Sequence, residues 1–164
     1  MGQKMMKIPI DFSLCPDYSC YYTIVTMFNY EQKFIRDVRT SLENSGTEEL
    51  IEDIYIPMTS YDEKYITSKG EEKIKHIDNK LMPLYVFVKC KMTSELYSFL
   101  RNTTGCAAIM SVGNTLSIMN DSEIDKIKEK CNTVSKQEAK KHEQQYKEEI
   151  AKKELSKMNT KTWK

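Results

Sequence analysis

Apolar and polar residues alternate at two different periods along this chain, and the switches between the periods mark its elements. Tyr21 to Met27, rich in Tyr, Ile, Val and Thr, predicts a strand. Phe34, Ile35, Val38 and Leu42 then recur at helical spacing, which predicts a helix capped by Asn29 and stopped at Gly46. Ile54–Met58 returns to strand, and Ser60 to Ile77 reads as a charged hairpin or arm turning at Ser68-Lys69-Gly70. Leu84–Met92 is the strongest strand. Thr93 is placed to cap a short helix through Leu96, Phe99 and Leu100 that ends at Gly105, and Ala107–Met110 supplies a fourth strand. Asn120, with Glu123 three residues on, opens a last helix whose Ile124, Ile127, Cys131 and Val134 share one side. Residues 1–20, interrupted by Pro9 and Pro16, read as an irregular N-terminal arm. The order β-α-β, arm, β-α-β and helix predicts an α+β fold of the split β-α-β (ferredoxin-like) type over residues 21–131. In that fold an antiparallel sheet carries its helices on one face.

The strand Leu84–Met92 says most about use. Successive side chains of a strand point to opposite faces. One face reads Leu84, Val86, Val88, Cys90, Met92 and belongs under the helices; the other reads Tyr85, Phe87, Lys89, Lys91. If helices cover one face alone, Tyr85 and Phe87 stand open as a binding patch. If the terminal helix or the N-terminal arm folds across, they are buried. An open aromatic face suits an amphipathic helix of a protein partner. It also suits unpaired bases stacked on the two rings, which gives the alternative of a free-standing single-stranded RNA-binding module.

Charge divides the chain near Asn132. Residues 132–164 carry nine Lys and five Glu, a net of +4, which leaves 16 basic and 19 acidic groups in residues 1–131, a net of −3. The total of +1 excludes a protein that coats polyanions by bulk charge. The last 33 positions lack Gly and Pro and favour helix, so a charged helical tail is expected, with a partner that its sequence does not name. No run of apolar residues reaches membrane-spanning length and no signal-peptide pattern opens the chain, so a cytoplasmic location is expected. Cys15 and Cys20 form a close pair, but no second pair completes a four-ligand site, and His76 and His142 stand apart from other donors. No metal and no cofactor are expected, and reduced thiols are the default. With isolated glycines, no nucleophile elbow and two separate histidines, the sequence does not read as an enzyme.

The segment from Tyr21 to Cys131 resembles the N-terminal domain of the NusG family of transcription elongation and antitermination factors. Tyr21-Tyr22-Thr23-Ile24 stands where the family has a Trp-Tyr strand, Glu31 and Lys33 open its first helix, and Ile56-Pro57 matches a Val-Pro after the second strand. Lys80 to Val88, with Pro83-Leu84-Tyr85 for the family's Pro-Gly-Tyr, is similar to its most diagnostic run. Leu100-Arg101-Asn102-Thr103-Thr104-Gly105 is similar to its Val-Arg-Asn-Thr-Pro-Gly segment. The resemblance implies a monomeric transcription regulator. It would dock on the clamp helices of the largest RNA polymerase subunit and touch the non-template DNA strand of the transcription bubble. Carried over by position, Tyr85 and Phe87 fall in the polymerase groove with Met82, Val112 and Ile124 as walls, and Arg101, Asn102 and Thr103 meet DNA. As residues, Asn102 and Thr103 read equally as helix-end and turn positions. The sequence departs from the family at Tyr21 and at Leu84, where a close backbone approach is expected to be lost. The family's second domain, a KOW β-barrel, has no counterpart in the glycine-free stretch 132–164.

Overall fold

The computed structural model describes residues 9–161, with side chains through Met158; residues 1–8 of the expected arm lie outside the described residues. In chain order the elements are β1 (Cys20–Thr26), α1 (Glu31–Ser45), β2 (Ile51–Tyr55), β3 (Met58–Ile66), β4 (Glu72–Lys80) and β5 (Tyr85–Cys90). They continue with α2 (Ser94–Asn102), β6 (Cys106–Ile109), the short strands β7 (Ser111–Val112), β8 (Thr115–Leu116) and β9 (Ile118–Met119), and α3 (Asp121–Lys161). The chain forms two compact units: residues up to Pro57 with Met82–Ile127, and Met58–Leu81 with the chain from Lys128. α3 is one continuous helix of 41 residues, so the expected terminal helix and the charged tail form a single element.

The first unit is built on an antiparallel sheet in the order β2-β5-β1-β6, with β9 beside β1. This is the split β-α-β arrangement the pattern predicts. Its main core lies under α1 and α2, where Phe34, Val38, Leu42, Leu96 and Leu100 meet Tyr22, Ile24, Val86, Val88, Cys90 and Met92. The alternation in β5 places its apolar face there, as expected from period-two patterning.

Local chemistry sets the element ends. Thr93 caps α2, its hydroxyl accepting from the Leu96 N–H at 3.1 Å. The Asn120 side chain accepts from the Glu123 N–H at 2.9 Å and so opens α3. Gly46, left-handed at φ +69°, closes α1. Asn29 does not cap α1; it sits at φ +63° and Tyr30 takes the cap position without a side-chain bond. Asn is among the residues that tolerate the left-handed region, and the turn uses it for that. Leu84 is outside its strand, at φ +75°. The backbone there keeps a glycine-like conformation, and the Leu84 carbonyl accepts from the Thr26 N–H at 2.8 Å and from its hydroxyl at 3.3 Å. The expected loss of a close backbone approach at this turn does not occur.

In the second unit β3 and β4 pair over their full lengths, from Met58↔Lys80 to Ile66↔Glu72. The turn uses Gly70 at φ +82°, as its sequence signal indicates. The distal part of α3 is tied to this hairpin. The Ser135 hydroxyl accepts from the Ser60 N–H at 3.0 Å, and His142 lies 3.5 Å from the Glu63 carboxylate and against the Tyr61 ring. His76 sits between Asp62 and Asp78 at 2.8 and 2.9 Å on the hairpin, and these carboxylates raise its pKa, the hydrogen bond to Asp62 foremost.

Candidate functional site

The face of the sheet opposite α1 and α2 carries a second, smaller apolar cluster. Its buried floor is Tyr21, Phe87 and Ile124, and its partly exposed rim is Tyr55, Met82, Tyr85, Met119 and Ile127. Register explains the grouping. Tyr21 faces Lys89, Thr23 faces Phe87 and Val25 faces Tyr85 across β1 and β5, while Tyr55 faces Phe87 across β2 and β5. The Tyr55 and Phe87 rings stack with centroids 6.5 Å apart at 22°. The opening turns of α3 then place Ile124 and Ile127, three residues apart and on one helical side, against these rings.

This geometry corrects the expectation of two open aromatics. Phe87 is 1% exposed and Ile124 likewise 1%, so Phe87 is floor; Tyr85 remains half-buried at the rim. Of the five residues expected to form a groove, Tyr85, Phe87, Met82 and Ile124 come together. Val112 does not join them; it is 78% exposed at the turn of the β7–β8 hairpin. Tyr21, Tyr55, Met119 and Ile127 belong to the cluster and were not singled out as site residues in the sequence. Ile127 was already on the Ile124 side of its helix, whereas the three others required strand register.

A polar network holds the floor in place. The Tyr21 hydroxyl donates to Asp53 at 2.6 Å, and burial followed by the Asp53 carboxylate drives its pKa upward. Lys89 reaches Asp121 at 3.2 Å and Glu52 at 3.5 Å and stands 5.7 Å from the Tyr21 ring centroid. Its pKa is raised, chiefly by Asp121. Lys89 thus links the start of α3 to β2 and Tyr21.

The residues expected to meet DNA lie at the end of α2. The Arg101 guanidinium donates to the Ala107 carbonyl at 2.7 Å, and the Thr103 hydroxyl donates back to the Phe99 carbonyl at 2.8 Å. Thr103 is the C-cap residue, so its turn reading is realised, and Asn102 beside it is exposed. A shallow groove of about 530 Å3 runs past this turn, lined by Asp37, Thr40, Ser41, Phe99, Asn102, Thr103 and Thr104. It presents hydroxyls, an amide, one ring and the Asp37 carboxylate, which Lys33 meets at 3.4 Å. No cluster of His, Cys, Asp and Glu suited to a metal ion occurs among the described residues, and no helix there is long and apolar enough to cross a membrane.

Comparison with known proteins agrees with this architecture. The transcription termination/antitermination protein NusG of Rickettsia conorii (strain ATCC VR-613 / Malish 7) is 25% identical over 107 residues, covering 65% of this chain and 53% of the relative. That of Rickettsia bellii (strain RML369-C) is 24% identical over 123 residues, 75% of this chain and 62% of its own. A solved structure described as "Domain interaction in Thermotoga maritima NusG" is similar with a TM-score of 0.50 and 26% identity, over 65% of this chain and 53% of that one. The chain therefore spans about half the length of the Rickettsia conorii relative. The family model described as "Transcription termination factor nusG" matches residues 19–128, well over half the chain and the whole of the sheet with α1 and α2, and this protein belongs to the NusG family.

Proposed function

We propose that this protein is a transcription elongation regulator. In this reading it docks through the rim of the β5 cluster on the clamp helices of the largest RNA polymerase subunit, and its Asn102 turn meets the non-template DNA strand. Residues 21–131 then act as the NusG N-terminal domain, and the helix beyond them has a separate role. The observation that carries the reading is the pairing of a buried floor of Tyr21, Phe87 and Ile124 with a partly exposed rim of Tyr55, Met82, Tyr85, Met119 and Ile127. An amphipathic helix buries its apolar stripe on such a surface. Arg101 and Thr103 hold the α2 turn by bonding backbone carbonyls, which leaves Asn102 as the residue placed to read a base edge. Bridging the clamp would favour one polymerase conformation over another through differential binding, with no bond made or broken by this chain.

Base stacking on a free-standing RNA module is the weaker reading, because it needs Phe87 open and the ring is buried. The test is a pull-down of the full chain with core RNA polymerase, wild type beside Tyr85→Ala. Tyr85 is a rim residue, so its truncation leaves the floor packed. Loss of polymerase binding at least about tenfold supports the groove. Equal binding by the two proteins overturns it. Asn102→Ala in a pausing assay then separates the DNA contact from docking: unchanged pausing with retained binding removes Asn102 from the mechanism.

A further inference from the structure

The hairpin of the second unit has two edges, and α3 covers one of them. The Ser60 N–H donates to the Ser135 hydroxyl at 3.0 Å, and the Lys64 carbonyl meets the His142 ring at 3.4 Å. The even-numbered residues of β3 therefore turn their backbone groups away from β4. Directly opposed residues of an antiparallel pair either exchange their backbone bonds or both turn them outward. Through the pairs Ser60↔Asp78, Asp62↔His76 and Lys64↔Ile74, the N–H and C=O groups of Ile74, His76 and Asp78 point out from the far side of β4. β3 is the one strand beside β4, and among the described residues no other backbone group bonds to these three. Glu72–Lys80 has no proline and no break in register, and most of its side chains are exposed, that of Ile74 included. A long open edge of this kind is a template for a further strand.

The side chains say which strand fits. Lys73 and Lys75 repel any partner that sets cations opposite them. In the antiparallel register that overlaps all nine residues, β4 complements a second copy of itself. Glu72 then stands opposite Lys80 at both ends, Lys73 opposite Asn79, Ile74 opposite Asp78 and Lys75 opposite Ile77. No two lysines and no two carboxylates are directly opposed. His76 meets its own copy at the centre, and each ring already holds the Asp62 and Asp78 carboxylates at 2.8 and 2.9 Å, which offset its charge. The even-numbered residues oppose one another in this register, so their outward N–H and C=O groups meet as a ladder requires.

We propose that β4 is a self-association edge. Two copies of this chain pair β4 with β4 antiparallel and join their hairpins into a four-stranded sheet about a two-fold axis at His76. Such a contact is isologous and closes at two copies. The outer β3 edges are the ones α3 already covers, so the sheet stops at four strands. The edge lies wholly in the second unit and uses no residue of the β5 cluster, and a dimer departs from the monomer that the family resemblance implies.

The test is sedimentation velocity on the full chain from micromolar to millimolar concentration, where a dimer is expected to grow with concentration. Glu72→Lys and Lys80→Glu each set like charges opposite one another at both ends, and each is expected to weaken self-association by about tenfold. Mixed in equal amounts, the two variants set lysine against carboxylate at both ends, and the mixture is expected to associate as well as wild type. His76→Cys reads the register: opposed Cα atoms about 5.5 Å apart lie within disulfide span, so mild oxidation should link the two introduced thiols across the dimer. Lys73→Cys, which faces Asn79, should not link to its copy. A wild type that stays monomeric throughout, equal self-association of wild type and both charge variants, no gain on mixing, or linking from Lys73→Cys as readily as from His76→Cys overturns the proposal.

Discussion

Removal of the Phe87 ring is the sharpest test of the second cluster. Phe87 is held by Tyr55 in a stacked pair and by Tyr21 and Ile124 in the floor, with almost no surface left to solvent. Phe87→Ala deletes the ring and leaves a cavity that these neighbours, fixed on two strands and a helix, cannot fully close. Such truncations cost about 3–5 kcal/mol. A domain of this kind holds roughly 5–15 kcal/mol in total, so the variant keeps a fold but a weak one. At about 2–4 °C per kcal/mol for a chain of this size, the thermal midpoint should drop by roughly 6–20 °C. Circular dichroism melts of wild type, Phe87→Ala and Tyr85→Ala read this directly, with Tyr85→Ala falling by clearly less because its ring is half-exposed. A drop for Phe87→Ala below about 3 °C, or one no larger than that of Tyr85→Ala, would refute the assignment of Phe87 to a packed floor. The same comparison governs any binding experiment. Lost polymerase binding in Phe87→Ala reports on the groove only below the midpoint of that variant, whereas Tyr85→Ala separates docking from folding.

Other expectations rest on single positions. Leu84 carries a side chain at φ +75°, which costs about 1–2 kcal/mol. Leu84→Gly relieves this but loses a half-buried side chain and adds chain entropy of about 0.5–1 kcal/mol, so urea unfolding should show a net change under about 1 kcal/mol. Leu84→Val should cost more than that, since a β-branched residue is a poorer fit there, and equal stability of the two variants would contradict the strain argument. Gly105 is at φ +93°, and a Cβ on it would stand 2.9 Å from the Tyr30 Cβ. Gly105→Ala should therefore destabilise by more than about 1 kcal/mol in the same assay, and a neutral result would show that the α2–β6 turn is looser than described. His76, whose pKa is raised by Asp62 and Asp78, gives stability that is fully present below its unfolded value of about 6.5 and fades as pH rises through the higher folded value. An NMR titration of its imidazole should show that elevated midpoint, falling in Asp62→Asn; no change in that variant would remove the carboxylate clamp.

Much of this protein follows from local rules that need no partner in space. The period-two run of β5, the helical spacing of Phe34, Val38 and Leu42, the Thr93 cap and the Asn120–Glu123 start are each written within a few residues, and each is realised in the structure. The α+β order followed from these elements, and the motif run from Tyr21 to Cys131 carried the family resemblance that the comparisons bear out. Even Gly46 and Gly70 stand where a left-handed turn requires them.

What needed the tertiary structure was every decision between faces and neighbours. Alternation puts Tyr85 and Phe87 on the same side of β5 but leaves their solvent exposure open, and only the docking of Ile124 and Ile127 buries one ring and leaves the other at the rim. Tyr21 and Tyr55 join that cluster through strand register, which pairs residues 68 and 32 positions from Lys89 and Phe87 along the chain. Val112 shows the converse, a position suggested by the family resemblance that its hairpin carries elsewhere. Lys89 reads as a surface charge until Glu52, Asp121 and the Tyr21 ring surround it, and Cys20 and Cys90 read as scattered thiols until β1 and β5 pair. Periodicity is a property of neighbours in the chain and is legible there. Burial, ion pairing and thiol proximity are set by contacts between residues far apart in sequence, and folding alone brings those together.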